Sequence, residues 1–253
     1  MKRQAFKEKF GTTKAVVLPV IHVIDEEQTR RNIQVALDGG CKGVFLINHD
    51  FGVKQFLPII EDARATFPHA WIGINFLAVT GKDAFPVLGE LERGGTRVDG
   101  YWGDDARIDE ARAIDDQPEA SAILQAKKDA GWGGFYLGGT AFKKQRDVKP
   151  EDYETSATIA CNYMDAVCTS GVATGKAADL SKIDVFRKAC GEKTLAIASG
   201  VTPENVHHYA EAIDCIMVAT GINVEGDFYN IDPVRLARLF ENVENVENGE
   251  NGA

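Results

Sequence analysis

The residues able to do chemistry in this chain gather where short apolar runs stop. The run 15–21 is followed by His22, and the run 43–48 passes into Asn48-His49-Asp50. An imidazole and a carboxylate delivered by neighbouring strands could share a proton, so His22, His49 and Asp50 are candidates for general acid–base work. The same group could hold a divalent ion, but with no further ligand spacing that is the weaker reading, and no cofactor is expected. Asn48, Asn75, Asp104, Ser170, Thr174 and Gly175 also stand at or just beyond the ends of such runs and are candidate substrate contacts. Lys143 and Lys144 follow the fifth run. Lys143 is read as a partner for an anionic substrate or, if desolvated, as a Schiff-base amine, and at most one of the two lysines faces the centre.

Two further endings suit an anion. Ser199-Gly200-Val201 and Thr220-Gly221 close the last two apolar runs in small, hydroxylated residues whose backbone N–H groups are unobstructed. Thr202-Pro203-Glu204 reads as the start of a helix, with Thr202 as N-cap and its positive end aimed at the same place. Ser199, Gly200, Val201, Thr220 and Gly221 are therefore the expected phosphate contacts.

These endings recur because the chain repeats one unit: an apolar run, a helical pattern, then often a glycine. Runs at 15–21, 43–48, 71–77, 97–102, 133–137, 162–168, 194–198 and 216–219 make eight strands with a helical pattern after each. Strands alternating with helices imply a parallel sheet, and eight units in one chain of this length imply a closed (β/α)8 barrel. In that fold ligands bind at the C-terminal ends of the strands, so Asp165 and Asp214, which begin strands six and eight, read as structural. Phe6 and Phe10 lie on one face of a short N-terminal helix expected to close the barrel floor. The domain is expected to span 1–240, and 241–253, rich in Glu and Asn, reads as a disordered polar tail. The acidic stretch 103–118 reads as a solvated loop, with a lid over the mouth as the alternative.

Composition narrows the partners. The 253 residues are 44% hydrophobic and 26% charged, ordinary for a globular chain, with net charge −10 and no Lys/Arg block, which argues against nucleic acid. No apolar stretch is long enough to span a membrane, and the charged N-terminus does not read as a signal peptide. Five cysteines without paired metal spacing read as reduced, packed thiols, so the expected compartment is cytoplasmic. The expected partner is a small phosphorylated ligand, with a homo-oligomer left open.

Several segments together resemble the BtpA family: LPVIHV, LINHDFG, IGINFL, TSGVATGKAAD, SGVTPENV and VATGINVEGDFYNIDPVRL, in that order, over about residues 6–240. The resemblance implies a TIM barrel whose first-named member was linked to photosystem I assembly. It also implies a phosphorylated ribosyl or sugar ligand, since related barrels serve sugar and nucleotide metabolism. The sequence departs from the family pattern where Ile47 precedes Asn48 and where Val79-Thr80 follow the third strand, which marks a divergent member. The expected activity is hydrolysis or transfer at the anomeric carbon of a phosphorylated sugar or ribosyl compound. A Schiff-base aldolase or isomerase, and a non-catalytic assembly factor, are the alternatives.

Overall fold

The computed structural model describes residues 1–246 except 172 and 174. Eight parallel strands, β1 (Val16–Val23), β2 (Gly43–Asn48), β3 (Trp71–Asn75), β4 (Gly100–Gly103), β5 (Phe135–Gly139), β6 (Ala166–Thr169), β7 (Thr194–Ala198) and β8 (Cys215–Val218), pair in chain order. The ring closes where Val16 of β1 registers with Cys215 of β8. This is the (β/α)8 barrel that the alternating pattern implies.

Side-chain alternation along each strand divides two cores. Val16, Leu18 and Val20 of β1 point into the barrel with Phe45, Ile47, Trp102, Leu137, Cys168 and Met217. Val17, Ile21 and Val23 point outward against the helices. The helix α1 (Arg3–Lys9) closes the floor as its spacing predicts, with Phe6 stacked 5.2 Å from Phe135 and Phe10 5.6 Å from Trp71. Asp25 caps α2 (Glu26–Asp38) by accepting the Gln28 amide at 2.7 Å, and the Gln28 side chain accepts from Ile24 N–H at 3.2 Å. The helices α3 (Val53–Thr66), α4 (Gly81–Arg93), α5 (Pro118–Ala130), α6 (Tyr153–Ala160) and α7 (Leu180–Cys190) follow the next five strands.

One device repeats at the lower, N-terminal end of the barrel. Asp99, Asp165 and Asp214 each precede an even-numbered strand and accept an amide from the strand before it. Ile72 N–H donates to Asp99 at 2.9 Å, Tyr136 N–H to Asp165 at 2.9 Å, and Leu195 N–H to Asp214 at 3.0 Å. Each carboxylate also meets cations: Arg64 and Arg97 on Asp99, Lys127 on Asp165, and Arg3, Lys7 and Arg187 on fully buried Asp214. The structural reading of Asp165 and Asp214 thus has a mechanism, and Asp99 joins them.

Three expectations need correcting. No α-helix starts at Thr202-Pro203; the segment forms turns and a single 3-10 turn at Val206–His208. Asn205 displaces the helical start, because its amide oxygen accepts from Thr202 N–H at 2.8 Å and its Nδ2 donates to Gly200 O at 2.8 Å. The barrel also continues past 240, since α8 runs Pro233–Asn245 with Val243 buried against the outer core; residues 247–253 of the expected tail lie outside the described residues. Third, the acidic stretch is pinned rather than free. Ala106, Ile108 and Gln117 are buried, Ala106 N–H donates to Gly139 O at 2.9 Å, and Arg146 bonds both Ile108 O and Glu110. Its Asp109, Asp115 and Asp116 remain exposed, so the acids face water while the backbone packs.

Candidate active site

Strand alternation decides which chain ends face the centre. On β1 the inward series Val16, Leu18, Val20 continues to His22; on β2, Phe45 and Ile47 continue to His49; on β4, Trp102 continues to Asp104. The opposite series carries Asn48 and Asp50 away. A cavity of about 310 Å³ opens at the C-terminal mouth, and its wall includes His22, His49, Trp102, Asp104, Lys143 and Ser199.

Burial sets the electrostatics. His22 is buried, stacks on Phe228 at 3.8 Å between centroids, and donates Nδ1–H to the Phe228 carbonyl at 2.8 Å. That bond fixes the tautomer and leaves Nε2 as an acceptor. Desolvation, only partly opposed by the Phe228 bond, holds its pKa down at about 4, so the ring is neutral near pH 7. His49 meets His22 edge-on at 4.8 Å, and burial lowers its pKa as well.

Asp104 and Lys143 are the charged pair of the cavity. Burial raises the Asp104 carboxyl above its ordinary range, against the lowering influence of an Asn75 hydrogen bond and of Lys143. Burial likewise lowers the Lys143 ammonium, with Asp104 opposing. Asn75 Nδ2 donates to Asp104 at 3.0 Å, while Asn75 Oδ1 is buried without a partner among the described residues. Trp102 Nε1, in the cavity wall, is buried and unpartnered too. Among the described residues no ion pair engages Asp104 or Lys143 within 4.0 Å. Lys144 also reaches the wall, but it is exposed and sits at positive φ, whereas Lys143 is half-buried with Nζ 5.6 Å from the Phe142 ring.

The other expected residues divide. Ser199, Thr220 and Gly175 line the cavity. Gly200, Val201 and Gly221 lie behind that wall. A Cβ on Gly200 would meet the Lys176 carbonyl oxygen at 2.1 Å, and one on Gly221 the Val201 carbonyl oxygen at 1.9 Å, so both glycines serve close backbone packing. The amides of Gly200, Val201, Thr220 and Gly221 donate to no acceptor among the described residues. Ser199 itself sits at φ 98, a costly conformation for a residue with a Cβ. Asp50 is exposed, accepts from Tyr229 O–H at 2.9 Å and does not line the cavity. Asn48 is spent on structure, donating to Phe51 O at 2.6 Å and accepting Leu77 N–H at 3.1 Å. Ser170 is fully buried and accepts Lys143 N–H at 2.8 Å, holding the lysine loop rather than facing a ligand. Thr174 lies outside the described residues.

Trp102, near the end of the fourth strand, carries the inward parity of β4 as alternation implies. Sequence reading passed over two further contributors. Phe228 reaches His22 only because the segment after β8 folds back through the Asn223–Ile231 bridge, which no local pattern announces. Lys182, on α7, is buried and donates Nζ to Ala141 O at 2.5 Å and Ser170 O at 2.9 Å, tying together the loops after β5 and β6. Among the described residues no cluster of His, Cys, Asp and Glu has metal-site geometry, and no helix is long and apolar enough to cross a membrane.

Comparison with known proteins places this barrel. It superposes on tryptophan synthase subunit alpha from Legionella pneumophila with TM-score 0.65 and 15% identity, over 97% of this chain and 99% of that one. A structure called "Native KDPGal structure" gives 0.64 and 14% identity over 94% and 98%, and phosphoribosyl anthranilate isomerase from Thermus thermophilus gives 0.57 and 14% over 91% and 99%. At such identities the likeness is one of fold. The Photosystem I biogenesis protein BtpA of Synechocystis sp. is 21% identical over 231 residues, covering 85% of this chain and 78% of the relative. Residues 141–245, which carry Lys143 and the loops after β7 and β8, match the BtpA family. These two matches agree with the BtpA resemblance of the sequence motifs and make the chain similar to that family, as a divergent relative.

Proposed function

We propose that the mouth cavity is the active site of an enzyme acting on a small phosphorylated sugar or ribosyl compound, by hydrolysis or transfer at the anomeric carbon. The observation that carries this reading is the pairing of Asp104 and Lys143 in a largely apolar cavity whose opposite wall holds Ser199 and Thr220. β7 and β8 stand across the barrel from β3 and β4, so a ligand anchored by phosphate at Ser199 and Thr220 would extend toward Asp104. Anomeric cleavage develops positive charge on the sugar, which a carboxylate in a low-dielectric site opposes strongly. Asp104 takes the acid–base role first assigned by sequence to Asp50, because Asp50 is turned outward. Lys143 supplies charge or a proton to the departing group, and neutral His22 and His49 offer acceptors to sugar hydroxyls.

A second reading rests on Lys143 alone. A half-buried amine with a lowered pKa is a competent nucleophile toward a carbonyl, as an aldolase or an isomerase working through a Schiff base would require. Borohydride reduction in the presence of a keto-sugar phosphate would then leave a mass adduct on Lys143.

Thermal-shift screening with ribose 5-phosphate, phosphoribosyl compounds and nucleotides, with phosphate and sulfate as anion controls, tests the first reading. Stabilisation by phosphorylated sugars beyond that given by free phosphate supports it. Asp104→Asn should keep binding while lowering turnover by about 10²–10⁴-fold. If neither sugar phosphates nor simple anions move the melting temperature, the enzymatic reading fails and the assembly role printed for the Synechocystis relative becomes the better one.

A further inference from the structure

We propose that Cys161 and Cys190, at the N-terminal end of the barrel and away from the mouth cavity, form a dithiol site that exchanges with low-molecular-weight disulfides and closes into an intramolecular disulfide. Parallel helices on the outside of a barrel bring their C-terminal ends to the same face. Cys161 is the C-cap of α6 and Cys190 the last residue of α7, so both thiols sit at the same end of this packed helix pair, near enough for each to shift the titration of the other. Exposure differs in a useful way: Cys161 is half-buried and open to a small reagent, whereas Cys190 is buried behind it.

The surroundings favour a thiolate on the outer sulfur. The interaction with Cys190, with Lys193 and Arg187 adding positive charge against the effect of burial, lowers the Cys161 thiol below its ordinary value. Cys190 is pushed up by that interaction and by burial. An accessible thiol with a lowered pKa beside a protonated resolving thiol is the arrangement that thiol–disulfide exchange uses. The remaining cysteines contrast with it. Cys41, Cys168 and Cys215 are buried in apolar surroundings that push their thiols up, Cys41 to about 12.

With oxidised glutathione as the disulfide, the Cys161 thiolate attacks one glutathione sulfur. The S–S bond of the reagent breaks, a mixed disulfide forms, and one glutathione leaves as thiolate and takes a proton from water. Cys190 then loses its proton to solvent and attacks the Cys161 sulfur, expelling the second glutathione, which is protonated in turn. Two protein thiols are oxidised by two electrons and one glutathione disulfide is reduced to two thiols.

The full-length protein is incubated with oxidised glutathione and followed by intact mass and non-reducing peptide mapping. The expected product has lost two hydrogens and joins the peptides of Cys161 and Cys190; Cys190→Ser should stop at a stable glutathione adduct on Cys161, and Cys161→Ser should remain unmodified. Iodoacetamide labelling of the unaltered protein supplies a readout that needs no variant: Cys161 should label ahead of the other four, with a rate that inflects below the pH of an ordinary thiol. A disulfide mapped to another pair, an unmodified Cys190→Ser protein, or Cys161 labelling no faster than Cys41 would overturn the proposal.

Discussion

The two ends of this barrel treat charge in opposite ways. At the N-terminal end every strand-leading aspartate is answered: Asp214, with no exposed side-chain surface, lies among Arg3, Lys7 and Arg187 and accepts a β7 amide. At the C-terminal end Asp104 and Lys143 are half-buried without an ion pair, and Trp102 Nε1 and Asn75 Oδ1 without a hydrogen-bond partner, among the described residues. Burying a polar group costs free energy unless a partner offsets it. An end that meets every such cost is built for stability. An end that leaves several unmet is where the proposed ligand site lies, and the contrast supports that reading without reference to any relative.

The contrast breaks first at Asp214. Asp214→Ala strands three cations and a strand amide, so a loss of about 3–5 kcal/mol in urea unfolding is expected, with ligand affinity of the folded fraction unchanged. A loss under ~1 kcal/mol would mean that the lower end is not the stabilising one. Next comes pH. His22 has a folded pKa of about 4 against an ordinary 6.5, so its neutral form contributes stability that is complete above pH 6.5 and is lost as pH falls toward 4. That amounts to up to ~3 kcal/mol, and His22→Gln should flatten this part of the stability–pH curve. An unchanged slope would show the ring to be freely hydrated.

Lys143→Met sharpens the comparison from the other side. Removing a partly desolvated ammonium should leave the melting temperature equal or higher, while affinity for a phosphorylated sugar falls by about 10–100-fold in calorimetry. A lower melting temperature would place Lys143 with the structural charges. The smallest effect belongs to Asp50→Ala, where stability should change by less than about 0.5 kcal/mol and ligand affinity not at all, since exposed Asp50 bonds the half-buried Tyr229 outside the cavity.

The repeat of apolar run, helix and glycine was enough by itself to establish the eight-stranded barrel, its helix-capped floor and the strand ends at which a site must lie. Those features rest on periodicity and turn chemistry, which are properties of neighbours along the chain. Parity along β1, β2 and β4 also contains the distinction between His49, which faces the cavity, and Asp50, which does not, although a loop just beyond a strand need not keep the alternation. Tertiary structure alone decided the rest. Thr202-Pro203-Glu204 carries every local sign of a helix start, yet Asn205 bonds back to Gly200 and 202 and leaves only a 3-10 turn. Gly200 looks like an open anion nest in sequence but is pressed against the backbone at Lys176. Whether Asp104 meets a cation or stays desolvated, and whether Cys161 lies beside Cys190, depends on groups dozens of residues away. Such distances are fixed only when the sheet closes, because burial and Coulomb interaction follow separation in space rather than in sequence.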